Sequence, residues 1–352
     1  MSIVISRTPY RISFFGGGSD YPGWYLREGG AVLSTSIDKY CYISCRFLPP
    51  FFGVRHRVVW KHIEQVNSIS EILHPAVREG LRHFGFDDDT GLEIQYQGDL
   101  PARSGMGSSS SFAVGLINAL LTLRGQRLTQ RELAAKAIEL EQHVMGDPVG
   151  SQDQMAAAIG GLNVFRFNTD GTIDIEPVIL SAERQRAIEQ RLLLFYTGVS
   201  RLGGQVAKDV IDNLSAKQAV VRKMMAMVEI GRDLLVTGSL DDFGRLLDET
   251  WHLKRSLSRQ VSTSLVDDIY ETARAAGAVG GKLLGAGNSG FMLFDAPPSA
   301  RQSICHALRH FLQVPFRLEA SGTSIIHDAG PNHLPGAVET QMLMKKRRGQ
   351  AA

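Results

Sequence analysis

Apolar and polar positions first alternate closely enough from Ser2 to Ile12 to predict a strand. The glycine-rich run FFGGGSDYPGW follows it. AVLSTSIDKYCYISCRF predicts a pair of strands, VVWKHIEQV a further strand and turn, and LEIQYQGDLP another strand. SEILHPAVREGLRHFGF has helical apolar spacing interrupted at Pro75. FAVGLINALLTL, from Phe112, is apolar on almost every face and predicts a buried helix.

Two helix starts carry capping signals, Thr129 with Glu132 and Ser151 with Gln154, separated by a break at Gly146, Asp147 and Pro148. Leu133, Ala137, Leu140 and Val144 line one face of the first of these helices. GLNVFRF and IDIEPVIL predict strands closing the first half. RLLLFYTG, from Arg191, opens a second half with helices over Gln205–Val236, Asp241–Leu257 and Ser264–Ala276. GGKLLGAGNSGFMLF then gives two short apolar runs joined by a glycine turn. A helix around Ser299–Phe311 and a strand near Val314–Glu319 complete the pattern, and no fixed-period repeat is present.

At 352 residues the chain exceeds one ordinary core, so two domains are expected, 1–190 and 191–330, followed by a tail over 331–352. Hydrophobic residues at 43% and charged residues at 21% describe a globular protein. A net charge of +2 supplies no general field for nucleic acid or an anionic membrane, so any anion must be recognised locally. Lys345, Lys346, Arg347 and Arg348 form a short isolated basic run in a solvated tail. With no secretory leader and no stretch of 18 apolar residues, the expected location is the cytoplasm. Cys41 and Cys45 fall on one face of a strand, where burial explains them better than a disulfide or a metal. Nothing in the pattern fixes the oligomeric state, and a homo-oligomer is compatible with it.

The chemistry concentrates in PARSGMGSSSSF, Pro101 to Phe112. A loop of glycines and serines running into an apolar helix turns backbone N–H groups, and the uncapped N–H groups of the helix, toward an anion. Pro101, Gly105, Met106, Gly107, Ser108, Ser109 and Ser110 are the candidate nucleotide-phosphate residues. GAGNSG, Gly285 to Gly290, has the dinucleotide GxGxxG spacing but precedes a strand rather than a helix, and no Walker A loop is present. Three glycine turns, at Gly16–Gly18, Gly105–Gly107 and Gly285–Gly290, could surround a polyanionic ligand from several sides. Arg11 and Asp20 flank the first turn, which suits a phosphoryl group beside a sugar hydroxyl. Asp153 lies early in a helix, where it either complements the helix dipole or serves as base to a hydroxyl. Glu141 is either a solvated glutamate or, with one serine hydroxyl, a magnesium ligand.

With these residues together, the chain resembles the GHMP small-molecule kinases. RTPYRISFFGGGSDY is similar to the family's first motif, PARSGMGSSSSF to its second and KLLGAGNSGF to its third, in order across most of the chain. The resemblance implies an α+β fold: an N-terminal mixed-sheet domain like ribosomal S5 domain 2 and a C-terminal ferredoxin-like domain, with the ligands in the cleft between. It implies ATP and Mg2+, with Ser109 and Glu141 on the metal and Asp153 and Arg11 as catalytic residues. Glu141 precedes Asp153 by the twelve positions seen in galactokinase-like members. Gly17, Gly18, Ser19, Asp20, Gly287 and Asn288 are then the expected sugar-binding residues. Gly17 and Gly18 replace the glutamate and histidine of galactokinases, and the GGGSD form resembles members acting on D-glycero-D-manno-heptose 7-phosphate, and also fucokinase domains. The implied activity is phosphorylation of the anomeric hydroxyl to a 1,7-bisphosphate, a precursor of nucleotide-activated heptose for surface polysaccharide. The implied partners are therefore small molecules, a sugar phosphate and ATP.

Overall fold

The computed structural model describes residues 3–198 and 203–330, and the basic run Lys345–Arg348 lies outside them. The first half runs β1 (Ile3–Phe15), α1 (Pro22–Glu28), β2 (Gly30–Phe47), β3 (His56–Val59), β4 (Ile63–Val66), α2 (Pro75–His83), β5 (Leu92–Gly98) and α3 (Ser108–Leu123). It continues through α4 (Gln130–Ile138), a π-helical turn over Glu139–Val144, α5 (Gln152–Ile159), β6 (Leu162–Phe167), β7 (Ile173–Pro177) and α6 (Ala182–Arg191). The second half comprises β8 (Leu192–Tyr196), α7 (Gly203–Asn213), α8 (Gln218–Val236), α9 (Leu240–Leu257), α10 (Ser264–Ala275), β9 (Gly280–Leu283) and β10 (Phe291–Asp295). α11 (Arg301–Ala307), β11 (Leu312–Gln313), β12 (Leu318–Glu319) and β13 (Ser324–Asp328) close the chain.

Among the described residues the first sheet has the order β13-β1-β2-β5-β3-β4, with β6 and β12 also paired to β2 and β7 to β6. β3 and β5 are parallel while the other pairs are antiparallel, which makes the sheet mixed. The second sheet, β11-β8-β10-β9, is antiparallel throughout, and its order is that of a ferredoxin-like βαββαβ unit. The architecture is α+β, as the sequence implied.

Helix α3 is buried along most of its length and lies on β1 and β2. Gly115 permits the approach: a Cβ there would stand 2.8 Å from Thr8 Oγ1. Ser6 Oγ donates to Gly115 O at 2.8 Å and Ser111 Oγ to Pro9 O at 2.9 Å, which fixes α3 along β1. Cys41 and Cys45 are fully buried on β2, and burial pushes both thiols up.

Four local expectations are corrected. The run Ala31–Phe47 is one strand rather than two: β2 spans 18 residues and changes partner along its length, from β6 to β5. Pro75 starts α2 instead of interrupting a helix, because its fixed φ suits the first helical position. Ser151 does not cap α5 through its side chain, whereas Thr129 and Glu132 form the complete reciprocal box at α4. The segment Gln205–Val236 divides into α7 and α8 at a turn in which Ala216 and Lys217 both donate to Asn213 O.

Candidate active site

β1 delivers Arg11, only 4% exposed, to the start of α5. Its Nε and Nη2 donate to Asp153 Oδ1 and Oδ2, both at 2.7 Å, in a bidentate pair. Its Nη1 donates to Gly105 O at 2.8 Å, and its backbone N–H reaches Met106 O at 3.2 Å. One arginine therefore ties the glycine-serine loop to the carboxylate. Asp153 remains partly open, with a side-chain exposure of 24%, and a carboxylate has lone pairs beyond the two used here. Gly107, at φ +71°, lies flat against the pair, since a Cβ there would be 3.2 Å from Arg11 Cγ and 3.4 Å from Asp153 Oδ2.

The loop enters α3 with Gly107 as a residue that offers no side-chain cap, so the first N–H groups of α3 have no side chain folded over them. Arg103 N–H donates to Ser108 Oγ at 2.9 Å, and Ser104 Oγ to Pro101 O at 2.7 Å. The third glycine turn interlocks with this loop. A Cβ on Gly285 would come within 2.4 Å of Gly105 Cα, and one on Gly290 within 2.2 Å of Ser104 O. Met106 is fully buried, so the loop presents backbone rather than that side chain.

The first turn closes on Asp20. Gly18 N–H donates to Asp20 Oδ1 at 3.1 Å, and Ser151 N–H donates to Asp20 O at 2.9 Å. A Cβ on Gly150 would overlap Asp20 Oδ2 at 1.9 Å, so the carboxylate rests directly on that backbone. Burial, and then the Asp153 charge, pushes the Asp20 carboxyl above its ordinary range. The Tyr21 phenol is also pushed up, by burial and then by Asp20 and Asp153, which places it beside both acids. Gly17 and Gly18 face open space. Ser19 is different: it is fully buried, and its hydroxyl donates to Gly16 O at 2.8 Å and Ala31 O at 2.9 Å, so it shapes the turn. Asn288 N–H donates to Val261 O at 2.8 Å, and Gly287 also packs on Val261, so both contacts lead to the α9–α10 connection rather than to Asp20.

Glu141 sits in the π-helical turn, a rare geometry that recurs at functional sites. It is 1% exposed, and its Oε2 accepts from Ser110 Oγ at 2.7 Å and Gln154 Nε2 at 2.6 Å. Burial pushes its carboxyl up to about 7 against the opposing hydrogen bonds of Ser110, Gln154 and Ser109. A carboxylate among serine hydroxyls at the head of α3 is a hard oxygen set of the kind magnesium takes. Among the described residues no group of three or more His, Cys, Asp or Glu could hold a metal, a number magnesium does not need beside phosphate oxygens.

Sequence reasoning missed Tyr21, Gln154, Lys254 and Lys282. Tyr21 and Lys282 lie within quoted motifs and Gln154 follows Asp153, which was the available signal. Lys254 carried none, because nothing local distinguishes a lysine turned onto backbone carbonyls from a solvated one.

Residues 70–161 match the model of the GHMP kinases N terminal domain, and residues 232–313 that of the GHMP kinases C terminal. The chain is 29% identical over 339 residues to a D-glycero-alpha-D-manno-heptose 7-phosphate kinase of Campylobacter jejuni, covering 88% of this chain and 94% of that one. It is 28% identical over 313 residues to a bifunctional fucokinase/GDP-fucose pyrophosphorylase of Arabidopsis thaliana, covering 82% of this chain and 29% of that longer one. A crystal structure described as a D-glycero-D-manno-heptose 1-phosphate kinase from Bacteriodes thetaiotaomicron is similar in fold. Its TM-score is 0.75 at 22% identity, over 94% of this chain and 100% of that one.

Proposed function

This chain belongs to the GHMP kinases, and from that premise we propose that it transfers the γ-phosphoryl group of ATP to the anomeric hydroxyl of D-glycero-D-manno-heptose 7-phosphate. The products are ADP and the 1,7-bisphosphate, a compound suited to nucleotide activation of the sugar for polysaccharide synthesis. The observation that carries the substrate is the similarity to the heptose 7-phosphate kinase along 88% of the chain.

In this reading Gly105, Gly107 and the first N–H groups of α3, with Ser108 to Ser110, hold the donor phosphates. Asp20 binds sugar hydroxyls across the open space over Gly17 and Gly18. Asp153 accepts a hydrogen bond from the anomeric hydroxyl, orients it and takes its proton as the new O–P bond forms and the bond to the β-phosphate oxygen breaks. Arg11 keeps the Asp153 carboxylate aimed through its bidentate pair, and adds positive charge beside the transferring group. Glu141 and Ser109 would hold Mg2+, which supplies charge neutralisation on the donor phosphates when bound.

The similarity to a fucokinase half supports a second reading, a kinase of an unphosphorylated hexose. A coupled ADP-release assay over heptose 7-phosphate, unphosphorylated heptose, fucose and galactose separates the two. The expected result is a kcat/KM for heptose 7-phosphate well above the rest. Faster turnover of fucose or galactose would replace the substrate and keep the chemistry.

A further inference from the structure

Two lysines stand behind the glycine turns, Lys254 half-buried and Lys282 buried. Lys254, on α9, donates through Nζ to Leu283 O at 2.8 Å and also to Gly285 O. Those carbonyls belong to the backbone as it leaves β9 and enters the third turn. Lys282, on β9 and 4% exposed, donates to Ser13 O at 3.0 Å and Phe14 O at 2.8 Å, where β1 approaches the first turn. Both lysines are thus occupied by carbonyls rather than carboxylates, an arrangement that leaves a charge uncompensated and is costly away from water.

The backbone shows what the cost secures. The described residues contain no cis peptide, so each C=O and the N–H that follows it point in opposite directions. With Gly285 O drawn toward α9, the Ala286 N–H is turned to the side away from that helix. Gly285 itself rests on Gly105, and Arg11 holds Gly105 O. Lys254 and Arg11 therefore grip the two interlocked turns by one carbonyl each. The ionisable groups facing Lys254 are the Arg11 guanidinium on β1 and the Lys282 amine on β9, and neither is an acid.

We propose that Lys254 is a positioning residue for phosphate binding: it fixes the third glycine turn against the nucleotide loop and places a half-buried positive charge behind both. This rests on the kinase reading. Burial, and then Arg11, draws the Lys254 ammonium down to about 7, and draws Lys282 well below its usual range with Lys254 contributing. A bound polyphosphate offsets the repulsion that Arg11 exerts on a charged Lys254, so binding near pH 8 is accompanied by proton uptake on Lys254.

Calorimetric titration of the intact chain with magnesium ADP at pH 8, in two buffers of different ionisation enthalpy, reads affinity and proton uptake together. The expected result is proton uptake by the wild-type protein, its loss in Lys254→Met with roughly tenfold or greater weakening, and recovery of most affinity without proton uptake in Lys254→Arg. Wild-type affinity and proton uptake in Lys254→Met would overturn the proposal. Should the methionine variant fail to fold, persistence of proton uptake in the arginine variant overturns it equally. A wild-type protein that binds ADP but phosphorylates no sugar refutes the kinase reading while these titrations still decide Lys254. One that binds no adenine nucleotide ends both.

Discussion

Asp153 is held by the Arg11 fork, and in the proposed reaction the same carboxylate also meets the acceptor hydroxyl. Asp153→Asn keeps the size but offers a single accepting oxygen and no charge. The expected outcome is a fall in kcat of about a hundredfold or more with sugar affinity retained, measured by steady-state kinetics and calorimetry. A rate near that of the wild type would remove Asp153 from the chemistry. Glu141 illustrates the opposite balance. Its folded value is raised to about 7 from an ordinary 4.5, so between these values the folded protein holds a proton that the unfolded chain has released. Stability at this site is therefore greatest below about 4.5, declines as pH rises, and reaches its floor above about 7. Glu141→Gln keeps an oxygen to accept from Ser110 and Gln154 without the buried charge. In metal-free solution the variant should gain stability over the wild type as pH rises from 5 to 8, by on the order of 3 kcal/mol at most. Thermal unfolding across that range checks it. Magnesium should raise the wild-type midpoint more than the variant's.

At the scale of elements, the two capping signals look alike in sequence and differ in structure. Thr129 accepts from Glu132 N–H while the Glu132 carboxylate accepts from Thr129 N–H. Ser151 instead uses its hydroxyl to accept from Gln142 Nε2 at 3.0 Å, because the chain preceding α5 is held by Asp20 O. Tertiary contact has overridden a local motif. Thr129→Ala should cost about 1 kcal/mol of stability with kcat unchanged, as read by denaturant unfolding. The same contrast explains what was legible. Three motifs with strong local chemistry, around Arg11, Gly105–Ser110 and Gly285–Gly290, could be located from sequence, because glycine runs with φ above zero have few other uses. The partner change along β2, the π-helical turn at Glu141 and the carbonyl contacts of Lys254 and Lys282 depend on residues distant in the chain, and no local pattern carries them.

At the scale of the molecule, the division near Arg191 separates the two sheets only as far as residue 313. Beyond it the chain returns to the first sheet: β12 pairs with β2, and β13 with β1 from Val4↔Asp328 to Arg7↔Ser324. The connection between them is built into the N-terminal half as well. Thr323 N–H donates to Ala157 O at 3.0 Å, Thr323 Oγ1 meets Thr8 Oγ1 at 2.8 Å, and Gly161 N–H donates to Glu319 O at 3.0 Å. Gly160 and Gly322 approach so closely that a Cβ on Gly160 would stand 2.1 Å from Gly322 N, which leaves no room for another residue at the end of α5. Residues 1–190 alone would expose the β1 edge and the Ala157 and Thr8 partners, groups whose unmet hydrogen bonds are costly when buried. Such a fragment should therefore unfold without a cooperative transition, and joining residues 314–330 to it through a flexible linker should restore one. Thermal unfolding of both fragments by circular dichroism tests this. A cooperative transition in the shorter fragment at the midpoint of the longer one would mean that the returning strands decorate the first domain rather than complete it.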